Sequence, residues 1–160
     1  MTATYLSLSS AEAQTIVKEN LREEIRENHP GMLRRFAVAA KAVPTKADYL
    51  AIHVPLGGVR DFVAGIRGFE LLLMMAFFEG VIARLMPFLA SLASSLGSFE
   101  CEYTDVHGVL DMTHAQELMA AFDWETSGVL DASRTAVTGI DVLERLLHVV
   151  IDPKRAGVRS

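Results

Sequence analysis

The 160-residue chain predicts an all-α fold, one helical bundle. Three observations predict it. Apolar residues recur at helical spacing over most of the length, as in AQTIVKENLREEIREN (13–28) and SRTAVTGIDVLERLLHVVI (133–151). No segment alternates apolar and polar residues over the length of a strand, and there is no repeat or low-complexity tract. The breaks carry helix start and stop chemistry: proline, glycine and capping serines.

The elements follow in order. Ser9, with Glu12 three residues later, reads as a capping box and opens a charged helix that runs to about Asn28. His29-Pro30 breaks it, and Pro30 suits the first turn of the next helix, which extends to about Val43. Pro44-Thr45 resets the chain, and KADYLAIHV (46–54) predicts a short helix. Pro55 and Gly57-Gly58 mark another break. Periodicity resumes at Val59 and continues, with a joint at Gly68, to about Leu96. Gly97-Ser98 is a turn, and a helix follows over about 99–122. TSG at 126–128 reads as a loop, 133–151 as the last helix, and 153–160 as a fraying tail. Residues 1–160 make one domain.

Composition narrows the functional classes. Hydrophobic content of 51% with 22% charge excludes a disordered chain. A net charge of −5 leaves no basic footprint for nucleic acid, and the C-terminal KRAGVRS reads as a solvated tail. Cys101 is the single cysteine, so no internal disulfide forms, which fits a reducing, cytoplasmic setting. The start, MTATYLSLSS, lacks a basic end followed by an apolar run. LLLMMAFFEGVIARLMPFLASLA (71–93) raises a membrane question. Glu79, Arg84 and Pro87 interrupt it, so it reads as a buried core helix and no membrane partner is expected. A bundle with this much apolar surface has reason to pair, and a homodimer is expected on that general ground.

The chemistry concentrates in HGVLDMTH (107–114). His107, Asp111 and His114 stand at i, i+4 and i+7, so all three leave one side of a helix, as half of a metal site would. In a bundle the other half comes from facing helices. Glu79 sits among apolar neighbours, where an unpaired carboxylate is costly and cation coordination removes the cost. Pairing with Arg84 or a helix terminus is the structural alternative, as an arginine partner is for Asp111. Glu19, Glu23, Glu24, Glu27 and His29 crowd the end of the first helix, mostly as a solvated face. His29 differs, because a break beside Pro30 lets a side chain turn inward. His53 and His148 read as packing histidines. Tyr103, one turn before His107, reads as a hydrogen-bond donor behind a ligand or as a packing residue.

These residues carry a resemblance. ENLREEIRENHPGMLRRF (19–36), AFFEGVIARLMPFL (76–89) and EYTDVHGVLDMTH (102–114) are similar to three segments of the haem-oxygenase-like di-iron oxidases and oxygenases, relatives of the thiaminase-type and pyrroloquinoline-quinone-synthase-type helical folds. The segments are an Asn-Leu-x-x-Glu stretch followed by His, a mid-chain helix with one buried Glu, and a His-x3-Asp-x2-His helix, in that order over about 19–117. The resemblance implies Glu24, His29, Glu79, His107, Asp111 and His114 as ligands of two iron ions, with manganese as the other fit for imidazole and carboxylate. Glu23 and Glu27 compete with Glu24, and five residues from Glu24 to His29 do not share one straight helical face. Family members usually carry one or two further helices before the first segment, where this chain has about eighteen residues.

The resemblance implies an enzyme, an O2-dependent oxidase or oxygenase acting on a small amine, amino-acid-like or fatty-acid-like substrate, with the apolar residues of 69–88 keeping water from the reactive centre. The alternative is a non-catalytic truncated relative that binds metal or a partner protein. A metal-free hydrolase of the thiaminase type, using a carboxylate and a cysteine, ranks last because it has little use for the His/Asp/His set.

Overall fold

Seven helices carry the described residues, 1–126 and 131–151, of this computed structural model. They are α1 (Thr2–Ser7), α2 (Ala11–Arg26), α3 (His29–Ala39), α4 (Lys46–Gly65), α5 (Phe69–Ser95), α6 (Glu102–Thr126) and α7 (Ser133–Ile151). No strand occurs among the described residues, so the chain is all-α as its periodicity predicts. The loop predicted at 126–128 is helical at Thr126, and its remainder and the predicted tail at 153–160 lie outside the described residues.

α6 is the hub, with α5, α2 and α3 packed on it. α5 and α6 form an antiparallel hairpin around Gly97, whose φ of 84° supplies the left-handed turn. Small residues let the two backbones approach: Gly80 faces Ala115, and Gly108 faces Met86. α2 also runs antiparallel to α6, with Asn20 opposite Glu117 and Glu23 opposite His114. α4 and α7 pack on each other as a second layer, which joins the rest through α7 against α5. Gly139 of α7 is buried where Met74 of α5 and Phe62 of α4 converge.

Two apolar clusters lie at opposite ends of the hub. Leu8, Ala13, Val17, Leu72, Ala76, Leu118 and Ala121 form the first. Phe36, Ala40 and Ala93, with Leu89 and Tyr103 packed against them, form the second. The stretches between them on α2, α5 and α6 hold Glu23 and Glu24, Glu79, and His107 through His114. A polar layer is therefore sandwiched between two apolar ones.

Several local expectations are corrected. Ser10, not Ser9, caps α2, accepting from the Ala13 N–H. Ser9 is drawn away because the Glu125 carboxylate takes the N–H groups of both Ser9 and Ser10. α1 stands where no helix was expected, and the Ser7 hydroxyl accepts from the Gly68 N–H. α3 stops at Ala39, short of Val43, where Lys41 takes φ 55°. α4 runs through Pro55, Gly57 and Gly58 without a break. A proline costs a helix one hydrogen bond and crowds the preceding turn. Here a capping box of Thr45 with Asp48 starts the helix and α7 supports its side. The last helix before the loop is 102–126, not 99–122.

α5 is only partly the buried core helix expected. It is the one described helix long and apolar enough to cross a membrane, with mean hydropathy 1.8, and a third of its most apolar window is buried. Leu72, Ala76, Ala83, Met86 and Ala93 are buried, whereas Phe88 and Leu92 are 72% and 57% exposed.

Candidate metal centre

The six residues singled out in the sequence converge in the polar layer. α6 presents His107, Asp111 and His114 from one face, all buried. Asp111 and His114 have no exposed surface, the depth at which an uncompensated charge is most costly. The Asp111 Oδ1 accepts from the His107 Nδ1 at 2.7 Å, which leaves Nε2 as the ring atom free to bind something else. That Nε2 is buried with no hydrogen-bond partner, as is Asp111 Oδ2.

α2 contributes from the opposite side. Glu23 Oε2 lies 3.0 Å from His114 Nε2, fixing the ring and leaving His114 Nδ1 buried and unpartnered. This arrangement, a carboxylate behind a histidine, is how proteins orient imidazoles toward a metal. Glu24, one residue on, lies beside His29, with Oε2 2.9 Å from Nδ1. The pair is close but out of hydrogen-bonding alignment, and neither nitrogen of His29 has a hydrogen-bond partner. The break between α2 and α3 makes the meeting possible. Asn28 adopts the left-handed conformation at φ 55°, ψ 46°, and swings His29 back against the helix it follows. His29 is 3% exposed, and its ring meets the His107 ring edge-on with centroids 4.5 Å apart.

α5 supplies Glu79. One oxygen of Glu79, one of Asp111 and a nitrogen of His114 lie within 4.8 Å of one another. Metal bonds of about 2.1 Å to nitrogen and oxygen set opposite ligands about 4.2 Å apart, so a small contraction suffices to hold an ion. Burial, and secondarily the Asp111 carboxylate, push the Glu79 carboxyl up to about 7. Asp111 holds the His107 imidazole above its ordinary range, against the opposing effect of burial. Tyr103 packs on the His107 ring at 4.5 Å, and its phenol is raised first by burial and then by the charges of Asp111, Glu24 and Glu79. Among the described residues, no ion pair joins Glu79 to Arg84, nor Asp111 to an arginine.

The donor set fits a divalent cation. Carboxylates cluster here, Arg26 pairs with Glu23 and Glu27, and five nitrogen or oxygen atoms of His29, His107, Asp111 and His114 are buried without a hydrogen bond, although Glu24 and Glu27 approach the two His29 nitrogens at 2.9 and 3.6 Å. Buried polar atoms are rarely left so, and a bound ion is one standard explanation.

Of the residues considered and set aside, His53 is exposed against Tyr49, and His148 is exposed beside Glu144. Two neighbours take roles that the sequence did not assign them. Glu23, weighed there only as a competitor of Glu24 for a ligand position, meets His114 Nε2 at 3.0 Å. Asn20, 2% exposed, donates to Glu117 at 2.6 Å and keeps its Oδ1 unpartnered. The i, i+3, i+4 spacing of Asn20, Glu23 and Glu24 was the available signal. The apolar run 69–88 lines the centre only in part, because Phe77 and Val81 point to the opposite side of α5 and face α7 around a cavity of about 430 Å³. No family model, curated protein or solved structure matches the chain.

Proposed function

We propose that the chain is a non-haem di-iron protein of the haem-oxygenase-like kind, an O2-dependent oxidase or oxygenase acting on a small, partly apolar substrate. The observation that carries this reading is the group of buried ligand atoms without a hydrogen bond on His29, His107, Asp111 and His114, with Glu24 and Glu79 beside them. Among the described residues the distances give one subsite, in which Glu79, Asp111 and His114 would hold an ion. We assign the second ion to Glu24, His29 and His107, on the 2.9 Å approach of Glu24 to His29 and the contact of the His29 and His107 rings. Mixed imidazole and carboxylate ligation suits iron, with manganese the nearest competitor.

Bound iron supplies the electrons and the O2 chemistry. The chain's own residues do the rest. Asp111 and Glu23 hold the tautomers of His107 and His114, so that each ring turns its other nitrogen inward. Glu79, whose carboxyl burial pushes up to about 7, would give up its proton on becoming a ligand. The apolar clusters above and below the layer keep bulk water from its flanks.

Elemental analysis after anaerobic Fe(II) loading tests the reading, on wild type and His114→Ala, followed by optical spectra on O2 addition. About two irons per chain are expected, lost or halved in the variant, with a transient visible absorption after O2. Absence of specific iron binding in both proteins sinks the proposal. A second reading, a metal-binding module that docks a partner without turnover, is favoured by the exposed Phe88, Leu92, Leu96 and Phe99. Iron uptake with no oxidation by O2 selects it.

A further inference from the structure

We propose that Tyr103 is a redox-active side chain that delivers one electron, through the His107 ring, to the metal centre. The proposal rests on the di-iron reading above. It stands on a line of touching rings that leads out of the polar layer. His29 meets His107 with centroids 4.5 Å apart, His107 meets Tyr103 at 4.5 Å with planes tilted by 46°, and Tyr103 meets Phe36 at 5.8 Å. Tyr103 and His107 stand at i and i+4 on α6, so the helix itself fixes their contact. Among the described residues no other tyrosine or tryptophan ring packs on a histidine of the centre. Tyr5 packs against the far apolar cluster, Tyr49 lies on α4 beside His53, and Trp124 is exposed near the end of α6.

The position of Tyr103 is suited to a one-electron donor. Its inner face covers a buried ligand, and it retains partial access to solvent at the edge of the second apolar cluster. No described residue shares a hydrogen bond with its hydroxyl. Where O2 takes two electrons from each Fe(II) ion, the iron would stand above the ferric state, an oxidant strong enough for a phenol, and Tyr103 would lose its O–H bond. The electron would pass through His107 to one such ion, lowering it by one unit to ferric, and the proton would pass to water at the exposed side. The product is a neutral phenoxyl radical. Phe36, next in line, has no such proton to lose and ends the path.

The test follows the metal and the radical separately. Protein is loaded with Fe(II) without oxygen and its iron is counted. It is then mixed with O2, frozen, and examined by electron paramagnetic resonance, with ordinary and with ring-deuterated tyrosine. Wild type is expected to give a tyrosyl signal that narrows on deuteration. Tyr103→Phe keeps the ring contact and the iron but loses the signal, and Tyr5→Phe retains it. Wild type that oxidises its iron with no tyrosyl signal overturns the relay and leaves the metal centre standing, as does a signal that survives in Tyr103→Phe. A failure to take up iron, seen before oxygen is added, overturns the metal centre and the relay with it.

Discussion

Glu79 is the residue on which the charge balance of the layer turns. Its carboxyl is held up to about 7, above its ordinary value of 4.5, so without metal it favours the fold when protonated. That contribution is fully present below about pH 4.5 and is lost as the pH rises through about 7. Metal-free wild type should therefore lose about 1–2 kcal/mol relative to Glu79→Gln between pH 5 and pH 8, after allowance for solvent screening. Urea unfolding in chelator at the two pH values measures the difference, and parallel pH profiles refute it. Iron affinity should run the other way, rising with pH because the ligand must shed its proton. Glu23→Gln keeps all six proposed ligands yet should weaken iron binding about 10–100-fold, by releasing the His114 ring. A competition titration against a chelator reads this, and an unchanged affinity shows that Glu23 is idle. His107, Asp111 and His114 were legible because helical spacing alone aligns them. Glu23 was not, because in KENLREEIREN a carboxylate behind a ligand looks the same as one facing water.

At the scale of the element, helix ends and joints decide what the sequence reveals. Gly68 precedes α5 at φ 56°, ψ −123°, a conformation open in practice to glycine alone, and the joint was visible for that reason. Gly68→Ala should cost about 1–3 kcal/mol in chemical denaturation. α4 was misread because Pro55 and two glycines are strong local breakers, and nothing local announces that α7 lies alongside. The described part of α4 buries no residue, so its ends matter more than its middle. Thr45→Ala removes the cap and should cost about 1 kcal/mol, seen as faster amide exchange in α4 with iron content unchanged. Loss of iron in that variant would mean that the α4–α7 layer braces the centre. The turn at Asn28 shows the reverse case. His29-Pro30 announced a break, but only the left-handed backbone returns His29 to Glu24.

At the scale of the whole molecule, the all-α class was legible from periodicity, and the packing order of the helices was not. Which helix becomes the hub depends on long-range fit, such as Gly80 against Ala115 and Gly108 against Met86, and such pairs leave no local trace. The outer side of α5 and the following turn expose Phe88, Leu92, Leu96 and Phe99, a row of large apolar groups rather than scattered single ones. We expect this row to pair two copies of the chain. Sedimentation velocity should show a dimer that Phe88→Glu with Leu92→Glu converts to monomer. A wild-type monomer at tens of micromolar removes the expectation.

The order in which the hub gathers its partners also has a meaning in time. Every residue proposed to hold metal lies at or before His114, and the helices that carry them, α2, α3, α5 and α6, need nothing from α7 to meet. A chain emerging from the ribosome has therefore exposed all six proposed ligands while α7 is still being assembled. On the proposed metal centre, capture of the ion would precede closure of the fold, and α7, with α4, would then settle against a hub already pinned.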